Sequence, residues 1–172
     1  MKLQRTARKK PSHIRQGESA ILFAIGAFSF LIAAEEIDEI RETHEMASVA
    51  VETMRTSVAK IKSTVQKGGH IYFVIDGSVH FQLPPSKPTR LVLLRNHPVA
   101  VTVDSIDRMT EIDRVLALPR AFIGPERHWY RGLAVLNDRV VPVVNGAAFL
   151  TAAEQVIARA AVSHSVSRSA RV

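Results

Sequence analysis

The chain has 172 residues, 47% hydrophobic and 23% charged, which suits one domain with terminal extensions and an ordinary buried core. It contains no cysteine, which excludes disulfides, thiolate nucleophiles and cysteine-ligated metal sites. The formal net charge of +7 favours nucleic acid or an anionic membrane as a partner, but much of the excess lies at the two ends. We therefore predict a flexible basic arm over residues 1–18, and a helix end followed by a flexible tail over residues 156–172.

Residues 20–34 are apolar except at Gly26 and Ser29. After a basic N-terminus this run is compatible with a signal peptide, although it is short for a membrane span. The favoured interpretation is a hairpin of two strands at residues 21–25 and 28–32. Their β-branched and aromatic content suits strands, and the continuous apolarity suits strands buried on both faces.

Residues 35–66 contain neither glycine nor proline. From Met46 onwards apolar residues recur every three or four positions, as on one face of a helix: Met46, Ala50, Met54, Val58, Ile61 and Val65. We predict a long helix within residues 42–66. An acidic cluster precedes it, which indicates a solvated helix start, a partner contact or ion pairs within the fold: Glu35, Glu36, Asp38, Glu39 and Glu42.

Strand signals dominate the rest of the chain. Strands are predicted at residues 70–75, 91–94 and 99–103, and residues 105–113 alternate loosely between apolar and polar. A last hairpin joins the apolar runs 133–136 and 140–144 through an Asn137-Asp138 turn. The spacing of Thr151 and Glu154 is that of a capping box, which predicts a short helix near residues 151–159. Many short strands with glycine and proline turns are typical of small β-barrels or a sandwich.

The sequence presents no recognisable catalytic or metal-binding set. The seven histidines include no helical i, i+4 pair and are interpreted as surface or rim residues. Gly68-Gly69 lacks the spacing of a phosphate loop and predicts a turn before a strand. Trp129 and Arg131 suit either packing or a protein contact. Gly132 indicates either a positive φ or the close approach of another strand.

Four segments together resemble the CheW family of chemotaxis coupling proteins, over roughly residues 19–155. The first contains Ile37-Asp38-Glu39-Ile40, which is similar to the family's Val/Ile-x-Glu-Ile motif. Residues 21–42 resemble the family's first hairpin, and residues 69–76 its Gly-x-x-x-Pro-Val-Ile-Asp strand. Residues 90–109 resemble its hairpin ending in Val-Asp-x-Val, and residues 129–150 its closing hairpin.

The resemblance implies a mainly β fold of two interlocked, five-stranded SH3-like barrels, here with an inserted helix, and no enzymatic activity or cofactor. It implies a cytoplasmic scaffold of two-component chemotaxis signalling, associated with the membrane only through a receptor array. This adaptor would join a chemoreceptor's cytoplasmic tip to the regulatory domain of a chemotaxis-type histidine kinase. Alternatives are a coupling protein for pilus or surface-motility signalling, and a binder of nucleic acid or membrane surfaces through the basic tails. A small-molecule substrate is not expected, and nucleic acid is the less favoured partner.

One departure from the family bears on receptor binding. The family carries Asn-x-Arg-Gly before its central strand, with the Arg facing the motif glutamate. Here Gly68 stands at the Arg position, so Glu39 lacks its usual partner unless Lys67 replaces it, and receptor binding through the first barrel is expected to be weaker. Kinase contact is predicted in the half spanning residues 90–144. The candidate protein-contact residues are Glu39, Lys67, Gly69, Asp76, Asp104, Trp129, Arg131 and Gly132.

Overall fold

The computed structural model describes residues 17–44 and 58–169, and for residues 163–169 it describes the backbone alone. Within these ranges ten strands form two five-stranded sheets. The strands are β1 (Glu18–Ile25), β2 (Phe28–Ala33), β3 (Ile37–Glu42), β4 (Ile61–Lys67), β5 (His70–Asp76), β6 (Arg90–Leu94), β7 (Val99–Val103), β8 (Ser105–Ile112), β9 (Tyr130–Leu136) and β10 (Arg139–Val144). The helices are α1 (Gly77–His80) and α2 (Ala152–Ser169), and 3-10 turns occur at Ala34–Glu36, Pro125–Trp129 and Gly146–Ala148.

Each sheet combines strands from distant parts of the chain. Sheet A has the order β8-β1-β2-β10-β9, and sheet B has the order β3-β6-β7-β5-β4. One parallel pair occurs in each described sheet, β2 with β10 and β5 with β7, and the other pairs are antiparallel. The predicted mainly β fold of two five-stranded units is confirmed. The half spanning residues 90–144, however, is divided between the sheets, because β6 and β7 belong to sheet B.

The two predicted barrels are five-stranded sheets that are not closed barrels. Among the described residues, the edge strands of each sheet are not joined by a regular backbone ladder. In sheet A an isolated bridge between Leu116 and Leu133 brings the segment after β8 against β9. The interlocking arises because the first hairpin is inserted between the last three strands of the chain.

Three apolar clusters form the core. One is enclosed by sheet A, one by sheet B, and the largest lies between the two sheets. Strand β1 contributes to two of them, because Ala20 and Leu22 face the sheet A cluster while Ile21 and Phe23 face the shared cluster. The predicted hairpin of residues 21–32 is therefore confirmed as a strand pair buried on both faces. No helix among the described residues is long and apolar enough to span a membrane.

The predicted helix within residues 42–66 is wrong where the structure describes this segment. Residues 61–67 form β4, in which Ile61, Ser63 and Val65 are buried in alternation with exposed Lys62 and Gln66. Two apolar residues spaced by four fit a strand face as well as a helix face, and the buried serine between them conceals the alternation. The periodic positions 46, 50 and 54 lie outside the described residues.

The C-terminal helix begins as predicted and continues further than predicted. The Glu154 N–H donates to Thr151 Oγ1 at 3.2 Å and the Thr151 N–H donates to Glu154 Oε2 at 2.8 Å, which is the reciprocal pattern of a capping box. The predicted end near residue 159 is wrong, because α2 extends to Ser169 and includes most of the predicted tail. Its alanine and arginine content favours a helix despite the serines that suggested disorder. The predicted arm lies outside the described residues up to residue 16, and β1 already begins at Glu18.

Candidate protein-interaction site

Glu39 and Lys67, both predicted contact residues, come together at the two edges of sheet B. Lys67, the last residue of β4, places Nζ 2.8 Å from Glu39 Oε2 and 2.5 Å from Asp38 Oδ2 on β3. Arg41 donates to the other side of the same carboxylate, with Nε 2.7 Å from Glu39 Oε1 and Nη2 3.1 Å from Glu39 Oε2. Lys67 thus provides the replacement partner that Glu39 requires.

The charges around Glu39 set its protonation. Hydrogen bonds from Arg41, and secondarily from Lys67, lower the pKa of Glu39 to about 2. Hydrogen bonds to Asp38 and then to Glu39 raise the pKa of Lys67. Glu39 and Lys67 are therefore both ionised at neutral pH. Ion pairs within the fold account for this part of the acidic cluster, which lies on a strand and not at a helix start.

The turn that carries Lys67 depends on two glycines. Gly68 has φ +55° and Gly69 has φ +80°, and Lys67 pairs with His70 across the turn. Two successive residues with positive φ form the tight turns that suit a hairpin. The predicted turn before a strand is confirmed. Gly69 acts through this backbone geometry, because it allows the chain to turn from the end of β4 into β5.

Asp76 and Asp104 accept hydrogen bonds within the fold. Asp76 Oδ1 caps α1 by accepting from the Ser78 N–H at 3.0 Å and the Val79 N–H at 3.3 Å. Asp104 Oδ2 accepts from the Gly26 N–H at 2.7 Å, which ties the β7–β8 junction to the turn of the first hairpin. Both carboxylates are therefore engaged in hydrogen bonds that hold α1 and the turn of the first hairpin in place.

Trp129 is a half-buried packing residue at the boundary of the shared core. Its ring centroid lies 5.1 Å from that of His80 and 6.1 Å from that of Phe81. Of the two interpretations open for Trp129, the packing one accounts for these contacts. Gly132 is required by close approach: a Cβ there would stand 2.2 Å from the backbone oxygen of Leu116.

Arg131 ties β9 to the beginning of β1. Its guanidinium makes a bidentate pair with Glu18, with Nη1 2.6 Å from Oε1 and Nη2 3.0 Å from Oε2, and lies 3.7 Å from Glu36. The hydrogen bonds with Glu18 raise the pKa of Arg131. Burial raises the pKa of Glu36, although the Gly146 N–H donates to its carboxylate at 3.0 Å. Arg131 is thus held within the fold by groups at the chain's N-terminal side.

His80 contradicts the interpretation of the histidines as surface or rim residues. It is 4% exposed, and its Nε2 has no hydrogen-bond partner in the described structure. Aromatic rings enclose it, with centroids 4.8 Å away for Phe81 and 4.7 Å for Phe149. Burial, with a smaller contribution from nearby Lys60, lowers the pKa of His80 to about 3. A signal for this burial was present in the sequence: Asp76 is the N-cap of α1, and this helical turn carries His80 into the core.

Comparison with known proteins decides the family. The sequence profile of the CheW-like domain matches residues 19–154. The chain belongs to the CheW-like domain family. A solved structure, the scaffolding protein TtCheW from Thermoanaerobacter tengcongensis, superposes with a TM-score of 0.64 at 14% identity, covering 74% of this chain and 88% of that one. At this identity the match establishes the fold. A search of the curated proteins finds no match.

This CheW-like chain also carries an apolar surface that the sequence interpretation missed. On sheet A, Val135 and Val140 face each other across the β9–β10 hairpin and are 58% and 63% exposed. Beside them lies a groove of about 800 Å³, which we call the sheet A groove, whose lining includes Phe28, Phe30, Leu83, Tyr130, Val140 and Pro142. The alternation of β9 and β10 could have indicated an outward valine pair, but not the groove, whose walls are distant in sequence.

Proposed function

We propose that this CheW-like chain is a non-enzymatic adaptor of bacterial chemosensory signalling that couples a chemoreceptor tip to the regulatory domain of a chemotaxis-type histidine kinase. It would act in the cytoplasm, within a receptor array. Family membership supports the scaffold role in general. The observation that carries the specific proposal is the exposed valine pair beside the sheet A groove, because it provides an apolar contact area that the fold itself does not cover.

We place the kinase contact on the β9–β10 hairpin and the sheet A groove. Phe28 at the groove's rim is 49% exposed, which extends the apolar area beyond Val135 and Val140. Exposed contiguous apolar area with a polar rim is characteristic of protein–protein interfaces, and Arg108 and Arg139 line the same groove. The location agrees with the C-terminal part of the half predicted from the sequence.

Trp129 and Arg131 remain proposed contact residues, but they are poor tests of the surface. Truncation of Trp129 would remove packing against Phe81, and truncation of Arg131 would leave the Glu18 carboxylate without its bidentate partner. Either substitution would alter the fold as well as any interface. Substitution of the exposed Val135 or Val140 tests the interface without removing a buried contact of the fold.

For the receptor we propose a weaker contact at the edge of sheet B. The Glu39 carboxylate is already bonded to Arg41 and Lys67, so a receptor side chain would have to compete with these internal partners. Gly68, at the family's Arg position, supplies no side chain for the contact. We expect receptor affinity to be lower than kinase affinity.

The test is a calorimetric titration of the full chain with the kinase regulatory domain and, separately, with the receptor tip. Val140→Glu and Val135→Glu should each weaken kinase binding about tenfold or more. Each substitution would place an unpaired carboxylate in the apolar contact with the kinase domain. Val156→Glu is the matched control, because Val156 is 69% exposed and lies on α2. Equal effects of all three substitutions, or no kinase binding at tens of micromolar, would contradict the proposal.

A salt titration separates the adaptor from a binder that works through its basic ends. Binding of nucleic acid or anionic lipid through phosphates would fall steeply as salt rises. Binding through the apolar hairpin should change little between roughly 50 and 200 mM salt. Over the same range, affinity that depends on phosphate contacts falls strongly.

A further inference from the structure

A second groove lies on the other unit, between the beginning of β5, the β6–β7 turn and α2. We call it the β5 groove. Its volume is about 610 Å³, and its lining consists of residues 69–73, residues 95–98, Arg159 and Val162. Tyr72 and Phe73 both line it, although their side chains lie on opposite faces of β5. It shares no lining residue with the sheet A groove, so a ligand here leaves the proposed kinase contact free.

The floor of the β5 groove includes a short open sheet edge. Strand β5 pairs with β4 from His70 onwards, whereas its ladder with β7 begins only at Phe73. The Phe73 N–H points towards β7, because it donates to the Pro98 carbonyl at 2.9 Å. Main-chain groups two residues apart on a strand point the same way, so the N–H and C=O of Ile71 point into the groove with no ladder partner in the described part of the chain.

The walls of the β5 groove are basic. Arg95 and Arg159 line it together with His70 and His97, and none of its described lining residues carries a carboxylate. Arg95 is exposed, and its Nη2 donates to the Ile37 carbonyl at 3.1 Å, which holds the guanidinium in place and leaves other N–H groups to bind an anion. Glu36, which interacts electrostatically with His97, does not line the groove.

We propose that the β5 groove binds an extended acidic peptide segment of a protein partner. The peptide backbone pairs with the open edge at Ile71, as in strand addition to a sheet, and its carboxylates meet Arg95 and Arg159. A helix could not use the Ile71 groups, because its own main-chain N–H and C=O groups are already paired. The inference goes beyond the proposed kinase and receptor coupling and does not depend on it.

The test uses isotope-labelled full-length protein and a capped octapeptide of alternating Glu and Val. Titration followed by heteronuclear NMR should shift the Ile71 amide saturably, together with the amides of residues 95–98. An octapeptide of alternating Lys and Val should produce no such shift. Neither should the Glu-Val peptide with every second nitrogen methylated, because methylation removes the donors that strand pairing needs.

Charge substitutions give an independent arm of the test. Arg159→Glu should weaken binding of the Glu-Val peptide at least tenfold, and Arg95→Gln should weaken it less, since it removes charge without reversing it. Arg139→Glu, on sheet A, should leave the affinity unchanged. Equal binding of the methylated or Lys-Val peptide, absence of saturation at millimolar peptide, or tighter binding of an oligonucleotide that displaces the peptide would overturn the proposal.

Discussion

Lys67 Nζ lies 2.8 Å from Glu39 Oε2, although their strands, β4 and β3, stand at opposite edges of sheet B. The side chains therefore join two edges that no backbone ladder joins in the described structure. Charged side chains at sheet edges also discourage pairing with further strands.

Lys67→Gln should raise the pKa of Glu39 from about 2 part of the way towards its ordinary value of 4.5, because Arg41 still donates to the carboxylate. The measurement is an NMR titration of the glutamate side-chain carbon. Lys62→Gln is the matched control, since Lys62 lies 4.0 Å from Asp76 and not near Glu39. An unchanged pKa in the Lys67 variant would show that this lysine does not interact with Glu39 in solution.

Glu39 should also make stability depend on acid pH. Its pKa is lower in the folded state, so its contribution is complete above pH 4.5 and is lost as the pH falls towards 2. Glu39→Gln should therefore flatten the loss of unfolding free energy over that window, as measured by urea denaturation. The Glu39 side chain is 34% exposed, so solvent screens its ion pairs and the effect should be small. A steeper loss in the variant than in the unmodified protein would contradict this sign.

His80 should lower stability at mildly acidic pH. The unfolded chain takes up a proton near pH 6.5, whereas the buried ring resists protonation down to about pH 3. The unfolded state thus binds more protons in this window, and stability should fall as the pH drops through it, by at most about 1.4 kcal/mol per pH unit. Stability should level off above pH 6.5.

His80→Phe should remove this dependence and keep the aromatic packing against Phe81 and Phe149. Urea denaturation between pH 4 and pH 7, roughly the window set by the two pKa values, measures the difference. His70→Phe is the control, because His70 is exposed. The same pH slope in both variants would show that His80 is not the responsible group.

Gly132→Ala should loosen the segment after β8. A methyl group at residue 132 would collide with the Leu116 carbonyl, which accepts the Leu133 N–H at 2.9 Å, and overpacking of this kind costs roughly 1–3 kcal/mol. Hydrogen exchange of the Leu116 and Leu133 amides should accelerate. Gly26→Ala strains a backbone with φ +58° but meets no atom within 4 Å, so it should leave those two amides protected.

Thr151→Ala should destabilise the beginning of α2 by about 1 kcal/mol, because the Glu154 N–H loses its side-chain acceptor. Chemical denaturation followed by circular dichroism measures the change. Glu154→Gln provides the comparison: it retains an acceptor for the Thr151 N–H and removes the ion pair with Lys60 at 2.9 Å. A larger effect of the glutamine variant would place the stabilisation in the ion pair instead of the cap.

The closing hairpin shows what local sequence determines. Asn137 and Asp138 have φ of 49° and 59°, as the tight turn between two apolar runs requires, and the strands extend to either side as predicted. The Thr151 cap was predictable for the same reason. In both cases the hydrogen bonds and backbone angles involve residues a few positions apart, so the sequence contains all that the structure needs.

The tertiary structure decided the features that depend on distant residues. Residues 61–67 became a strand because β5 offered a ladder partner, although Ile61 and Val65 alone suited a helix face equally. His80 is buried because the rings of Phe81, Trp129 and Phe149 meet around it.

The sequence by itself determined the hairpins, the turns and a family resemblance, because those signals are short-range patterns of side-chain type. Only the tertiary structure decided which side chains meet: Arg131 pairs with Glu18, 113 positions away, and the first hairpin lies between the last strands. The two apolar valines and the open edge at Ile71 are exposed for the same reason. Local alternation can indicate an outward face of a strand, but the packing of distant strands determines whether that face is covered.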